Sequence, residues 1–139
     1  MRKKAGKILN ALGCPDAELS LTLVNDPAMA RLNRSLLQRR GPTNVITVPL
    51  QGGPFPDIQS QVLGDVVISL ETTRRQARQH GWNFLELLDF YLIHGILHLL
   101  GYDHEAGEAE ARRMAEKTRE VFRIIHPELE EEIAWPDWK

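Results

Sequence analysis

The sequence holds a single cysteine, Cys14, so no internal disulfide can form, and a closed, cysteine-rich structural zinc site has nothing to draw on. Net charge is scarce too: 17 Lys and Arg stand against 19 Asp and Glu, giving −2. That balance is unusual for a chain whose main business is gripping nucleic acid, so any such surface must be local. There is no long uninterrupted apolar run. The most hydrophobic stretch, Phe84 to Leu100, is broken by Glu86, Asp89, His94 and His98, and reads as a buried core helix instead of a membrane span. Met1-Arg2-Lys3-Lys4 is not followed by the apolar segment that a secretory signal needs, and a cytoplasmic location is the simplest expectation. At 139 residues, 42% of them hydrophobic, the chain has the length of one domain with a real core, 1–139, and is too short for two.

What the sequence does have is histidine concentrated in one place. Three of its five histidines fall in the run His94-Gly95-Ile96-Leu97-His98-Leu99-Leu100-Gly101-Tyr102-Asp103-His104. His94 and His98 are four apart, so on a helix they lie one turn apart on one face. Gly101 permits the left-handed turn that ends a helix, and the chain doubles back through Tyr102 and Asp103 to present His104. Three nitrogen ligands leave a fourth position open, as catalytic zinc requires; one zinc per chain is expected, although imidazole also suits nickel, copper and iron. The plain alternative is a set of hydrogen-bonded core histidines. A pair at i and i+4 arises often by chance, whereas a third beyond a glycine turn at this spacing does not. The spacing H-x3-H-x5-H equals that of the helix-and-turn metalloproteases, whose general-base Glu directly follows the first His. Here that position is Gly95, which has no side chain to take a proton.

Around this stretch the chain reads as α+β: a small mixed sheet of three to four strands packed with helices around a buried central helix that carries two metal-binding histidines. Lys4 to Leu12 is a helix ended by Gly13, and the alternation from Leu19 to Val24 is a strand. Asp26-Pro27 reads as an N-cap and first helical position. That helix should run to about Gln38, burying Met29, Leu32 and Leu36 and exposing Arg31 and Arg34. Val45 to Val48 is a β-branched strand closed by Pro49, which places it at a sheet edge. Gln51 to Gln61 is a Gly/Pro-rich loop. Val62 to Leu70 forms the next strand, and Glu71 to His80 a helix exposing Arg74, Arg75 and Arg78 before Gly81 stops it. Asn83 with Glu86 is a capping box that opens the central helix. Glu108 to Ile125 is a last amphipathic helix with Ala111, Met114, Thr118, Val121, Phe122 and Ile125 on one face, ended by His126-Pro127. His80 and His126, at helix ends, complement the helix dipole. Trp135 and Trp138 either dock on the body or mark a contact to something else.

Charge is segregated along the chain. Residues 1–50 hold eight Lys/Arg against three Asp/Glu, 51–100 three against five, and 101–139 six against eleven. Basic character ahead of the histidine run and acidic character behind it fit an anion-binding face on one side. Arg34, Arg39 and Arg40 are candidates for phosphate contacts, against a reading as ordinary surface arginines. Asp103 is the acidic side chain nearest in sequence that could act as general base or orient a histidine, against a turn-making role. Asp65 has the same ambiguity, with a structural role favoured.

The run H-G-x-L-H-L-x-G-Y-D-H resembles the signature of the YbeY family of bacterial rRNA-maturation endoribonucleases. Three upstream features fall in that family's order: Leu32-Asn33, the segment Pro42-Thr43-Asn44-Val45-Ile46-Thr47-Val48-Pro49, and Leu63-Gly64-Asp65-Val66-Val67-Ile68-Ser69. The likeness runs from about residue 20 to about residue 125. It implies a zinc-dependent, single-strand-specific endoribonuclease acting in ribosomal RNA maturation, at the 16S rRNA 3′ end, and in ribosome quality control, with His94, His98 and His104 as ligands. It implies single-stranded RNA and rRNA as partners, with the ribosome or ribosomal proteins beside them, and no membrane or DNA. One departure stands out: the family usually carries an arginine, often after an aromatic, where this chain has Leu36-Leu37, so either Arg39 or Arg40 replaces it or this chain binds RNA less well than the resemblance implies. Zinc with an open position can polarise a phosphoryl oxygen and acidify water, which leaves open whether water or the RNA's own 2′-hydroxyl attacks. The rival readings are a zinc peptidase-like hydrolase and a non-enzymatic, zinc-stabilised ribosome-assembly factor.

Overall fold

Alternating leucines build the first strand, β1 (Glu18–Val24), whose Leu19 and Leu21 turn inward while Glu18, Ser20 and Thr22 face solvent. β1 pairs in parallel with β3 (Val62–Ser69), and β2 (Val45–Pro49) pairs antiparallel on the other side of β3, giving the order β1-β3-β2. β2 is thus an edge strand, as its closing proline led us to expect. This computed structural model describes residues 1–50, 62–129 and 135. The Gly/Pro-rich loop expected over Gln51 to Gln61 and the tail residue Trp138 lie outside the described residues.

Five helices complete the described α+β fold: α1 (Arg2–Ala11), α2 (Asp26–Leu37), α3 (Leu70–His80), α4 (Phe84–Leu99) and α5 (Glu108–Ile125). The sheet has three strands among these residues, the lower of the two numbers expected. α2 covers one face through a small cluster of Met29, Ile46 and Val67. The other face meets α4, and α1, α3 and α5 close around that helix. Leu92, Ile93, Ile96 and Leu97 are wholly buried, so the central helix expected from its all-round apolarity is surrounded as predicted. None of the described helices is long and apolar enough to cross a membrane.

Two glycines set close approaches. Gly64 has φ 140°, and a Cβ there would collide with the Val48 carbonyl oxygen, so β2 and β3 can pair at this point only around glycine. Gly95 lets α4 sit down on the sheet: a Cβ there would lie 2.8 Å from Val66 Cγ1 and 3.4 Å from Val45 Cγ2.

Two local expectations are corrected. The cap of α2 is Asn25, whose side chain accepts the Ala28 N–H at 3.0 Å, and Asp26 is already helical. Leu36 is 47% exposed, because the apolar cluster under α2 reaches Met29 and Leu32 and goes no further; Asn33 is the other residue that α2 buries. The remaining elements match their expected type, with α5 matching at both ends. Trp135 packs against Trp82, Phe90 and Phe122, with Arg119 and Arg123 over its ring, so this tail aromatic docks on the body.

Candidate metal centre

α4 begins where Asn83 accepts the N–H groups of Leu85 and Glu86, and it ends at Leu100, after which Gly101 takes φ 100°. That positive φ turns the chain back, and Asp103 holds the returning segment by accepting the Glu105 N–H at 2.9 Å. His104 is thereby returned to the face of α4 that carries His94 and His98. The three ring centroids lie 4.9 Å (His94 to His98), 5.4 Å (His94 to His104) and 5.2 Å (His98 to His104) apart. One nitrogen from each ring falls within 4.8 Å of the others.

The electrostatics favour the neutral form at His94 and His98. Burial, then the neighbouring His98 and His104, push the pKa of His94 down to about 3. His98 is lowered by burial and by His104, against a smaller opposing pull from Asp103 and Glu105. Neutral imidazoles keep the lone pairs that a metal needs. Nδ1 of His104 is buried and has no hydrogen-bond partner among the described residues. A buried polar nitrogen without a partner costs free energy unless something outside the chain satisfies it. The donor set and this orphaned nitrogen both fit one transition-metal ion, and three imidazoles suit zinc among others.

Among the other sequence candidates, Asp103 is exposed and makes the turn, while its charge still bears on His98. Arg34, Arg39 and Arg40 are exposed at the end of α2 and just after it, and no hydrogen bond or ion pair among the described residues joins them to the histidines. Asp65 lies on β3 opposite Val48 and Ser20. His126 ends α5, as expected, but its Nε2 lies 2.8 Å from a carboxylate oxygen of the fully buried Asp89, which also accepts from Lys4 Nζ at 2.9 Å. One network beside the site escaped the sequence reading. Tyr91, one turn before His94, donates its hydroxyl to Gln76 Oε1, which also accepts from Asn44 Nδ2 at 3.3 Å. Burial pushes the Tyr91 pKa up, with a smaller lowering from Asn44, so the hydroxyl stays a donor. The only available signal was a tyrosine three residues before the first histidine.

An α+β fold that gathers three histidines from one helix and the turn after it can hold a single metal ion beside a sheet edge. The sequence profile of the family described as Endoribonuclease YbeY matches residues 1–126. Proteins named Endoribonuclease YbeY from Geobacter metallireducens and Geobacter sulfurreducens are each 49% identical, over 92% and 90% of this chain and 86% and 84% of their own lengths. One from Aquifex aeolicus is 40% identical over 93% of this chain and 84% of its own. The solution structure of TM1509 from Thermotoga maritima shares the fold with a TM-score of 0.66 and 27% identity, covering 91% of this chain and 79% of that one. The chain belongs to the YbeY family.

Proposed function

We propose that this chain is a zinc-dependent, single-strand-specific endoribonuclease, one domain over 1–139, that acts in ribosomal RNA maturation at the 16S rRNA 3′ end and in ribosome quality control. The observation that carries the reading is the convergence of three nitrogens within 4.8 Å in a chain of this family. His94, His98 and His104 hold the ion, the first two on the stiff central helix. A zinc ion there supplies Lewis acidity, drawing charge from a phosphoryl oxygen and lowering the pKa of water towards neutrality. Asp103 sits on the ligand turn, where its carboxylate accepts a proton or orients a ring. Arg34, Arg39 and Arg40 contact RNA phosphates, and Arg39 or Arg40 stands in for the arginine that the family usually carries at Leu37.

The substrate is single-stranded RNA, rRNA above all, met in the cytoplasm on or near the ribosome or its proteins, with no role for membranes or DNA. A peptidase reading is weakened by Gly95, since the position of the protease's general base faces Val66 and Val45 on the sheet and has no room even for a Cβ. The test is metal content by mass spectrometry on protein purified without chelators, paired with cleavage of a labelled single-stranded RNA before and after chelation and zinc restoration. The expected result is one zinc per chain and zinc-restored cleavage that is lost in His98→Ala with the fold retained. Unchanged cleavage by His98→Ala would overturn the reading, and one zinc without cleavage would shift it to an assembly factor.

A further inference from the structure

We propose that the exposed arginine face of α3 is a second RNA-backbone contact, carrying the single strand onward from the histidine cluster. The inference rests on the endoribonuclease reading above and adds to it a binding surface that the cluster does not require. Arg74, Arg75 and Arg78, with Glu71 and Gln79, line a surface cavity of about 480 Å³. Two of the three guanidinium groups are held in place. Arg75 donates from Nη1 to Asp26 Oδ2 at 3.1 Å and from Nη2 to Thr72 Oγ1 at 3.2 Å. Arg74 lies over the Phe84 ring, 4.6 Å from its centroid. Arg78 makes no ion pair with a described residue, and the Glu71 carboxylate accepts the Asp26 N–H at 2.8 Å. Guanidinium groups ordered before the ligand arrives lose less side-chain entropy on binding, and their fork geometry matches phosphate.

This face lies along α4 ahead of the site. Gln76 is the residue next to Arg75, and it accepts the hydroxyl of Tyr91, one helical turn before His94. Arg74 lies over Phe84 at the start of α4, ten residues ahead of His94, ~15 Å of helix at ~1.5 Å of rise per residue. Asn44, at the mouth of the edge strand β2, meets the same Gln76 oxygen. A strand passing the histidines has a polar junction of Asn44 and Gln76 to cross before it reaches the arginines. Arg75 is paired with Asp26, so in a chain with net charge −2 it is Arg74 and Arg78 that give this face the local positive charge a backbone contact needs.

The test compares wild type with the double variant Arg74→Ala, Arg78→Ala; Arg75 is left intact because it ties α3 to Asp26. Binding of single-stranded RNA of about 4 and about 16 nucleotides is measured by fluorescence anisotropy over a range of salt concentrations. For the longer strand, the slope of log affinity against log salt should fall in magnitude by ~1.4, two contacts at about 0.7 each, with a matching rise in KM and kcat unchanged. The shorter strand should bind both proteins alike. Arg74→Lys with Arg78→Lys should keep the wild-type slope, which separates lost charge from a disturbed helix. Wild type that cleaves and binds RNA beside a double variant with the same slope on the longer strand would overturn this proposal alone. An equal loss on both strands would also overturn it, by placing the arginines in the cleavage site itself. Wild type that neither binds nor cleaves RNA would overturn the endoribonuclease reading, and this one with it.

Discussion

Gly95 shows how one missing side chain shapes both packing and chemistry. A methyl group there must displace Val66, which is fully buried in the middle of β3, so the neighbour has little room to yield. Overpacking of this kind costs about 1–3 kcal/mol, against a gain of ~1 kcal/mol from replacing glycine by alanine inside a helix. Gly95→Ala should therefore lower stability by about 1 kcal/mol, read as a lower urea midpoint with an unchanged slope. A midpoint at or above wild type would mean that α4 lifts from the sheet freely, and that the helix is a softer platform for His94 and His98 than its burial indicates. The three histidines could be found in the sequence because they lie within eleven residues on one helix and turn. Asp89 could be noticed only as an interruption, since its partners Lys4 and His126 are 85 and 37 residues away and no periodicity records such a meeting.

Among elements, the paired starts of α2 and α3 carry the next consequence. Both helices begin at the same end of the parallel β1 and β3 strands, and Asp26 joins them: Oδ1 accepts from Ser69 Oγ at 2.6 Å and Thr72 Oγ1 at 2.5 Å, and Oδ2 from Arg75. Burial would raise the pKa of this carboxyl, but the hydrogen bonds from Ser69, Thr72 and Arg75, with the Arg75 charge, outweigh it and hold the pKa below its ordinary 3.8. A depressed carboxyl pKa means that the unfolded chain binds the proton more readily than the folded one. The resulting stability is complete above the ordinary value and is lost as pH falls through 3.8 towards the lower, folded one. Asp26→Asn should thus lie below wild type in urea midpoint at pH 7, and the gap should close as the two proteins are acidified past that range. A gap that stays constant with pH would assign the loss to packing instead of charge. The elements themselves were legible wherever one periodicity ran for several turns, as in α5. Where two elements compete for one junction, the sequence left the choice open: Asn25 and Asp26 are both good caps, and only the demand of Ser69 and Thr72 for an acceptor settles which of them enters the helix. Leu36 fails for the opposite reason, since its stripe continues past the point where the small second cluster ends.

For the whole molecule, the histidine cluster couples metal binding to folding. The ligands come from α4, which the sheet and helices α1, α3 and α5 pack against, and from a turn that α4 itself starts, so the site exists only when the chain is folded. An ion bound to the folded state alone stabilises it by about 2.7 kcal/mol at a free concentration of 100 times the dissociation constant. In a domain of roughly this size each kcal/mol moves the melting temperature by about 3–4 °C, so saturating zinc should raise it by roughly 10 °C and chelation should reverse the rise. The rise should grow with the logarithm of zinc concentration, as linkage demands, and His104→Ala should abolish it because Nδ1 of His104 is the nitrogen left without a partner. Binding of zinc by histidines of the unfolded chain would shrink the increment without removing its dependence on His104. A melting temperature that does not move across a zinc titration would mean that the three rings, with centroids about 5 Å apart, are packed edges of the core and leave no place for an ion.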